Sequence, residues 1–102
     1  MATIFNSFHH QRYEYGRLVS DDPGVPRIVN IEYSPDKSKM IVSITPTLTP
    51  KPASLESQIG NIRTYRGADP DYRFVIEEMS GKIIRFSLFR LDRNLELRYF
   101  EY

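Results

Sequence analysis

Alternation between apolar and polar residues restricts the fold of this chain more than any other feature of its sequence. An apolar residue stands at every second position of two neighbouring segments: Val29, Ile31 and Tyr33 in the first, and Met40, Val42 and Ile44 in the second. Successive side chains of a β-strand point to opposite faces, so a period of two predicts two strands that each bury one face. The polar residues 34–37 lie between them and predict the turn of a β-hairpin.

Four further segments have the composition of strands: 11–19, 72–79, 82–91 and 95–102. The last three are rich in aromatic and branched residues and are separated by Ser80-Gly81 and Arg93-Asn94, which predicts a three-stranded antiparallel meander. A helix is the alternative for 72–79, because its apolar residues also fit the spacing i, i+3, i+4 and i+7. The aromatic and branched residues that open this segment favour the strand.

The intervening residues carry turn and helix signals. Residues 21–24, Asp-Asp-Pro-Gly, predict a turn. Residues 45–52 contain three prolines, which cannot donate to a central ladder, and predict a flexible or extended connector. For residues 52–60, a cap at Ser54 and a stop at Gly60 predict a short helix.

The length and these segments together define the expected fold. The chain has 102 residues, which is the size of one domain, so residues 1–102 are expected to form a single domain. The fold class is β-rich, either all-β or α+β with one or two short helices. We expect a small antiparallel barrel, a sandwich or a curled sheet of five to six strands.

Composition and charge exclude several function classes. Fourteen Lys and Arg residues oppose thirteen Asp and Glu residues, and a net charge of +1 argues against nucleic-acid binding by bulk charge alone. The absence of cysteine excludes disulfides, thiolate zinc sites and thiol nucleophiles. No apolar run approaches the roughly 20 residues of a membrane span, and residues 1–12 lack the pattern of a signal peptide. We therefore expect no membrane partner and a cytoplasmic location.

The residue types that carry chemistry are present but not in catalytic patterns. His9 and His10 are neighbours, which in an extended chain point to opposite sides, so we expect an exposed pair before the first strand rather than a metal site. Paired acids occur at 21–22, 69 and 71, and 77–78, where turns, caps and strand ends explain them. We predict no catalytic, cofactor-binding or metal-binding residue, and no enzyme activity.

The two faces of the meander differ in composition. One face is apolar and is the expected core: Ile84, Phe86, Leu88, Leu95, Leu97 and Tyr99. The other face mixes arginine with aromatic residues and supplies the interface candidates: Arg85, Phe89, Arg98, Phe100 and Tyr102. Protein interfaces are enriched in this mixture, which also stacks bases and pairs phosphates on open sheets. The third possibility is that a helix or the first hairpin covers this face as a second core layer.

These observations favour a non-enzymatic interaction protein that acts through a β-sheet surface as a homodimer. Residues 95–102 have aromatic residues on both faces and no proline or lysine that would blunt a sheet edge, so a second copy is the expected partner, with another protein as the alternative. The alternative function is a single-stranded nucleic-acid-binding β-barrel module that uses the arginine and aromatic face. No cofactor is expected.

Overall fold

Eight antiparallel strands close into a barrel in the computed structural model, which describes residues 2–45 and 48–101. The strands are β1 Ala2–Glu14, β2 Arg17–Tyr33, β3 Lys39–Thr45, β4 Leu48–Ile59, β5 Ile62–Gly67, β6 Tyr72–Met79, β7 Lys82–Arg90 and β8 Leu95–Phe100. Each strand pairs with the next one in the chain, and β8 pairs with β1 to close the barrel. One 3-10 turn, Leu91–Arg93, is the helical element of the described residues. None of these residues forms a helix with the length and apolar character needed to cross a bilayer.

The predicted hairpin of residues 27–33 and 39–44 is confirmed. In the β2–β3 ladder Val29 lies opposite Ile44 and Ile31 opposite Val42, and all four side chains are buried. The turn between the strands follows from local chemistry, because the Asp36 carboxylate accepts hydrogen bonds from the Ser38 N–H and from two serine hydroxyls. These bonds lower the pKa of Asp36 to about 2.

Side chains fill the inside of the barrel. The buried apolar residues come from all eight strands: Phe5, Val29, Ile31, Tyr33, Met40, Val42, Ile44, Ala53, Tyr65, Tyr72, Phe74, Ile76, Ile83, Phe86, Leu88 and Tyr99. Tyr72, Phe74, Phe86 and Tyr99 form a chain of neighbouring rings with centroids 6.0–6.3 Å apart. The interior is therefore a packed core, as in other small barrels.

The predicted meander is also confirmed, and residues 72–79 form a strand rather than the alternative helix. Phe86, Leu88 and Tyr99 face the core as predicted, and Leu97 packs against it. Ile84 was predicted to be core, but Ile83 is the buried residue. The ladder shifts between Glu77 and Glu78, which leaves Ile84 as an extra residue on β7, and this bulge turns the preceding residue, Ile83, inward. Leu95 is only partly buried, at the start of β8.

The expected strand number of five to six is wrong, and two of the missed strands are β4 and β5. The predicted helix over 52–60 is instead part of β4, which pairs with β3 and β5. Pro52 lacks a donor, but its carbonyl accepts the Ala68 N–H at 3.0 Å. Of the expected connector 45–52, Thr45 ends β3 and residues 48–52 begin β4, whereas Pro46 and Thr47 lie outside the described residues.

The predicted strand 11–19 and the predicted turn 21–24 are wrong. The chain reverses earlier, at Tyr15 and Gly16, and both residues have positive φ, 52° and 76°. β2 then runs through residues 21–24 without reversing. Gly24, with φ of 78°, lies where the β1–β2 register shifts by a bulge. The Asp-Asp-Pro-Gly sequence therefore produces an irregular stretch of strand instead of a turn.

The last strand does not offer the free edge that the sequence suggested. β8 is hydrogen-bonded to β7 on one side and to β1 on the other along its whole described length. Edge pairing through β8 is therefore excluded as a route to a dimer, which leaves the outer face of the strand.

Candidate functional site

The arginine and aromatic residues predicted as an interface lie together on the outside of the barrel. In the β7–β8 ladder Arg85 lies opposite Phe100, and Phe89 lies opposite Glu96, with Arg98 between them on β8. Closure brings β1 alongside, so the outward residues of β7, β8 and β1 form one surface, called here the β7–β8–β1 face. Tyr102, the fifth predicted residue, lies outside the described residues.

Phe100 forms part of the wall of a cleft of about 600 Å³ at one end of this face. The cleft is also lined by Met79 and Ile84, which are apolar, and by His9 and Arg85. The His9 ring lies against Phe100, with the ring centroids 5.4 Å apart. The Arg85 Nε lies 3.4 Å from a Glu77 carboxylate oxygen, so the charge of this arginine is compensated at the rim. The cleft therefore has an apolar floor and no net excess of cations.

Phe89 lines a second cleft of about 400 Å³ at the other end of the face. Tyr13 and Tyr15 of the first hairpin and Leu91 of the 3-10 turn contribute to its walls. Tyr15 is three-quarters exposed, because it is the first residue of the hairpin turn. Two large aromatic rings are thus held at the surface beside Phe89.

Arg98 separates the two clefts and is held in place by two partners, Glu96 and Tyr13. Its Nε lies 2.5 Å from one Glu96 oxygen, and its Nη2 lies 3.4 Å from the other. Its guanidinium carbon lies 4.2 Å from the centre of the Tyr13 ring, a cation–π geometry. The hydrogen bonds to Glu96 raise the pKa of Arg98 above its usual value. This arginine is therefore a fixed part of the surface rather than a free cation.

Each arginine that we place on or beside the face has a carboxylate within ion-pair distance. Arg85 pairs with Glu77, Arg98 with Glu96, and Arg73 of the adjoining β6 with Glu56 at 3.6 Å. A phosphate backbone would have to displace these carboxylates before it could pair with the arginines. A protein surface that also alternates acidic and basic residues can instead form new ion pairs with these arginines and glutamates, so that no charge is left unpaired.

The two histidines lie inside β1, so the expected position before the first strand is wrong. Their predicted divergence is confirmed, because His9 contacts Phe100 on the outer face whereas His10 contacts the buried Tyr99. Each histidine pairs with an aspartate of β2: His9 with Asp21, and His10 with Asp22 at 3.2 Å. The hydrogen bond from His9 lowers the pKa of Asp21. Across the described residues, no three His, Asp or Glu side chains are grouped so as to hold a metal ion.

The remaining acid pairs lie on separate elements. Asp69 and Asp71 lie in the β5–β6 connection, where an Asp69 oxygen accepts the Asp71 N–H at 3.0 Å. Glu77 and Glu78 lie on β6 opposite the bulge of β7, and Glu77 faces outward. These carboxylates therefore hold local turns and ion pairs.

A buried polar cluster near one end of the barrel was not predicted. Arg63 is buried and donates to the Tyr33 hydroxyl at 2.9 Å, to the Tyr65 hydroxyl at 3.2 Å and to the Glu78 carboxylate. Tyr65 in turn donates to the Lys37 carbonyl at 2.8 Å. The alternation of Arg63 with Tyr65 was the signal available in the sequence, because both occupy inward positions of β5.

Burial affects the ionisation of this cluster. It raises the pKa of Tyr33 to about 12, although the nearby Arg63 opposes the shift, and it also raises the pKa of Tyr65. Burial alone would lower the pKa of Arg63, but the hydrogen bond to Glu78 and the phenols outweigh it and raise the pKa. The cluster therefore contains the Arg63–Glu78 ion pair and two neutral phenols. Its role is to stabilise the fold.

The residues of β1 on the candidate face were missed because they join it only through closure. His9, Gln11 and Tyr13 lie opposite Phe100, Arg98 and Glu96, respectively. The sequence marks residues 5–15 only as a cluster rich in aromatic residues.

Comparison with known protein families, with characterised proteins and with solved structures finds no match to this chain.

Proposed function

We propose that this chain is a non-enzymatic interaction protein that binds a second copy of itself through the β7–β8–β1 face. The observation that carries the proposal is the position of Phe89 and Phe100, which are half-buried on the outside of a barrel whose interior is already filled. Among the described elements, none packs over this face as a second core layer. The cysteine-free composition is compatible with the cytoplasm, which we propose as the location.

The pairing of arginines with glutamates supports a protein partner. An interface core depleted in unpaired charge and enriched in aromatic residues and arginine is typical of protein complexes. The nucleic-acid alternative has less support, because the arginines that would meet phosphates already have carboxylate partners.

The charges of the face are complementary to one another, which supports a second copy of the chain as the partner. A two-fold interface places the same surface on both sides, so every group must meet its complement within that surface. The β7–β8–β1 face and its border with β6 offer both members of each pair, since Arg98 lies beside Glu96, and Arg85 lies beside Glu77 of β6. A second copy could therefore bury the aromatic rings while each arginine keeps a carboxylate partner.

Sedimentation of the wild type and of matched variants tests this proposal. Wild-type protein at micromolar concentration should sediment at about twice the chain mass of 12.0 kDa. The double variant Phe89→Ala and Phe100→Ala should remain folded and sediment as a monomer, because hot-spot aromatic residues dominate association. The control is Ile28→Ala and Ile41→Ala, which removes two exposed apolar side chains from β2 and β3 and should leave the dimer intact.

Three outcomes contradict the proposal. A monomeric wild type at the highest soluble concentration removes the dimer. A double variant that stays folded and dimeric places the interface elsewhere. Salt-sensitive binding of a fluorescent single-stranded oligonucleotide near 50 mM salt, lost in the double variant, would establish the nucleic-acid alternative instead.

A further inference from the structure

The turn between β1 and β2 holds a tyrosine where the backbone disfavours one. Glu14 pairs with Arg17, so Tyr15 and Gly16 form a two-residue hairpin turn, with φ angles of 52° and 76°. Such a turn needs positive φ at both residues, and asparagine, aspartate and glycine are preferred at the first of them. A larger side chain is strained there, because its Cβ comes too close to the following carbonyl oxygen.

Two other two-residue turns among the described residues have small residues at this position. The turn between β4 and β5 begins with Gly60, whose φ is 59°, and the turn between β6 and β7 begins with Ser80, whose φ is 54°. Glycine adopts positive φ without strain, and serine is a common turn residue. A bulky aromatic residue at Tyr15 is therefore an exception within this barrel.

Contacts within the chain do not compensate for this strain. The Tyr15 side chain is 75% exposed. Across the part of the chain that the structure describes, its ring stacks on no other ring and its hydroxyl has no hydrogen-bond partner. A strained residue whose side chain does not stabilise its own fold indicates a function for that side chain.

The Tyr15 ring stands beside the cleft of about 400 Å³ at the Phe89 end of the β7–β8–β1 face. Every residue that lines this cleft is among the described ones, and the cleft lies at the end of β8 opposite to Phe100. Four of its lining residues are aliphatic or aromatic: Tyr13, Phe89, Leu91 and Leu95. Because the ring is three-quarters exposed, it borders this hollow without filling it.

The two turns that form the cleft are bonded to each other. The Tyr15 N–H donates to the Asn94 carbonyl at 2.9 Å, which joins the β1–β2 turn to the connection between β7 and β8. Asn94 itself has a φ of 48° and donates its N–H to the Leu91 carbonyl. The ring and the hollow therefore have fixed relative positions before any partner binds, which lowers the entropy lost on binding.

The charges at the rim of the cleft are compensated. Arg90 donates to both carboxylate oxygens of Asp92, at 3.2 and 3.1 Å, and Arg98 is bonded to Glu96. A charged ligand would find no unpaired opposite charge among these residues. A phenol suits such a site, because its ring is apolar and its hydroxyl can bond to polar groups at the rim.

We propose that Tyr15 anchors the dimer by inserting its ring into this cleft of the second copy, while the partner's Tyr15 enters the cleft of the first. The inference rests on the proposed dimer and names the residue that holds it together. In a two-fold interface each contact occurs twice, so a projecting ring beside a hollow is complementary to its own symmetry mate. Tyrosine is also one of the residues enriched among interface hot spots.

This exchange determines where the two-fold axis lies. Because Tyr15 adjoins its own cleft, the axis passes close to that end of the face, and Phe89 lies near the centre of the interface. Phe100 lies opposite Arg85, four residues from Phe89 along β7, or about 13 Å away. Hot spots cluster near the centre of an interface, so Phe89→Ala should weaken association more than Phe100→Ala does.

The variant Tyr15→Asn tests the anchor, because it should change association and stability in opposite directions. In sedimentation over a dilution series, its dimer should dissociate at concentrations at least about tenfold above those of the wild type. Added to the monomeric variant Phe89→Ala with Phe100→Ala, it should raise the urea midpoint, because asparagine adopts this turn with less strain.

Two controls separate the ring from the turn. Tyr15→Phe keeps the ring and the strain, so it should weaken association far less than Tyr15→Asn and should not raise the urea midpoint. Ser80→Asn makes the same kind of change in the β6–β7 turn, outside the cleft, and should leave the dimer as in the wild type.

Two results overturn the anchor while the proposed dimer face stands. One is a Tyr15→Asn variant that dimerises as the wild type does, although Phe89→Ala with Phe100→Ala dissociates. The other is a lower urea midpoint for Tyr15→Asn, which would show that the ring stabilises its own chain. A monomeric wild type overturns both proposals. If only Tyr15→Asn dissociates the dimer, the anchor stands and the interface lies at the end of the barrel instead of along the face.

Discussion

Arg63 and Glu78 form an ion pair on the inner side of the barrel wall, with both side chains largely removed from solvent. Breaking a buried pair on one side leaves the other charge unpaired, which typically costs about 3–5 kcal/mol. The folded chain therefore needs both residues, because each charge is stable inside the barrel only when the other compensates it.

We predict that Glu78→Ala lowers the free energy of unfolding by about 3–5 kcal/mol in urea denaturation, because the Arg63 guanidinium then stays buried without its carboxylate. The matched control is Glu77→Ala, the adjacent residue, which removes a partly exposed outward pair with Arg85. That variant should lose less than about 1 kcal/mol. Equal losses in the two variants would mean that the buried position of Glu78 has no energetic consequence.

The Tyr33 phenol makes stability sensitive to alkaline pH. Its pKa is about 12 in the folded chain and 10.0 in the reference state, so the folded chain holds the phenol proton more tightly. This stabilisation is complete below pH 10 and is lost as the pH rises toward 12. The wild-type free energy of unfolding should therefore fall between pH 9 and 11 by more than that of Tyr33→Phe, measured by urea denaturation. Parallel curves for the two proteins would refute this assignment.

Elements with a local signal were predicted correctly. The β2–β3 hairpin and the meander β6–β7–β8 each combine alternating residues with a short turn, and Ser80 and Gly81 adopt the positive φ values, 54° and 79°, that a tight hairpin requires. The same alternation predicted that Arg85, Phe89, Arg98 and Phe100 share one face. Their function at an interface remains a prediction.

Elements whose local signal competes with tertiary pairing were not predicted. In β4, two prolines and the helical spacing of Leu55 and Ile59 indicated a connector and a helix, but β3 and β5 provide pairing partners on both sides. In the first hairpin, Asp-Asp-Pro-Gly has a stronger turn propensity than Tyr15-Gly16, yet the chain turns at Tyr15-Gly16. Propensity is a weak prior when neighbouring strands supply hydrogen bonds.

The whole barrel depends on one long-range pairing that no local pattern encodes. β1 and β8 stand at opposite ends of the sequence, and their ladder both closes the sheet and brings His9, Gln11 and Tyr13 to the candidate face. A pairing between distant segments incurs a loop-closure entropy that must be overcome before the contacts stabilise it.

A cross-link across this seam should stabilise the barrel strongly. Glu14 and Leu95 are paired across the β1–β8 ladder, and a disulfide between cysteines there should add roughly 4 kcal/mol to the free energy of unfolding, because it closes a loop of about 80 residues. Cysteines at Met79 and Lys82, paired beside a tight turn, form the control and should add much less. The comparison of oxidised with reduced protein in urea checks both. Equal gains would show that closure is not entropically costly.

The ladder between β1 and β8 also determines how the molecule responds to a mechanical load. β1 enters the barrel, and β8 leaves it, at the same end, and the two strands run antiparallel as neighbours. Tension applied between the two strands from that end pulls them apart along the direction of their hydrogen bonds, and it reaches the His9–Phe100 pair first. The bonds then break in succession, as in a zipper, instead of sharing the force. The junction that completes the barrel is thus the place where a pull on the chain would open it.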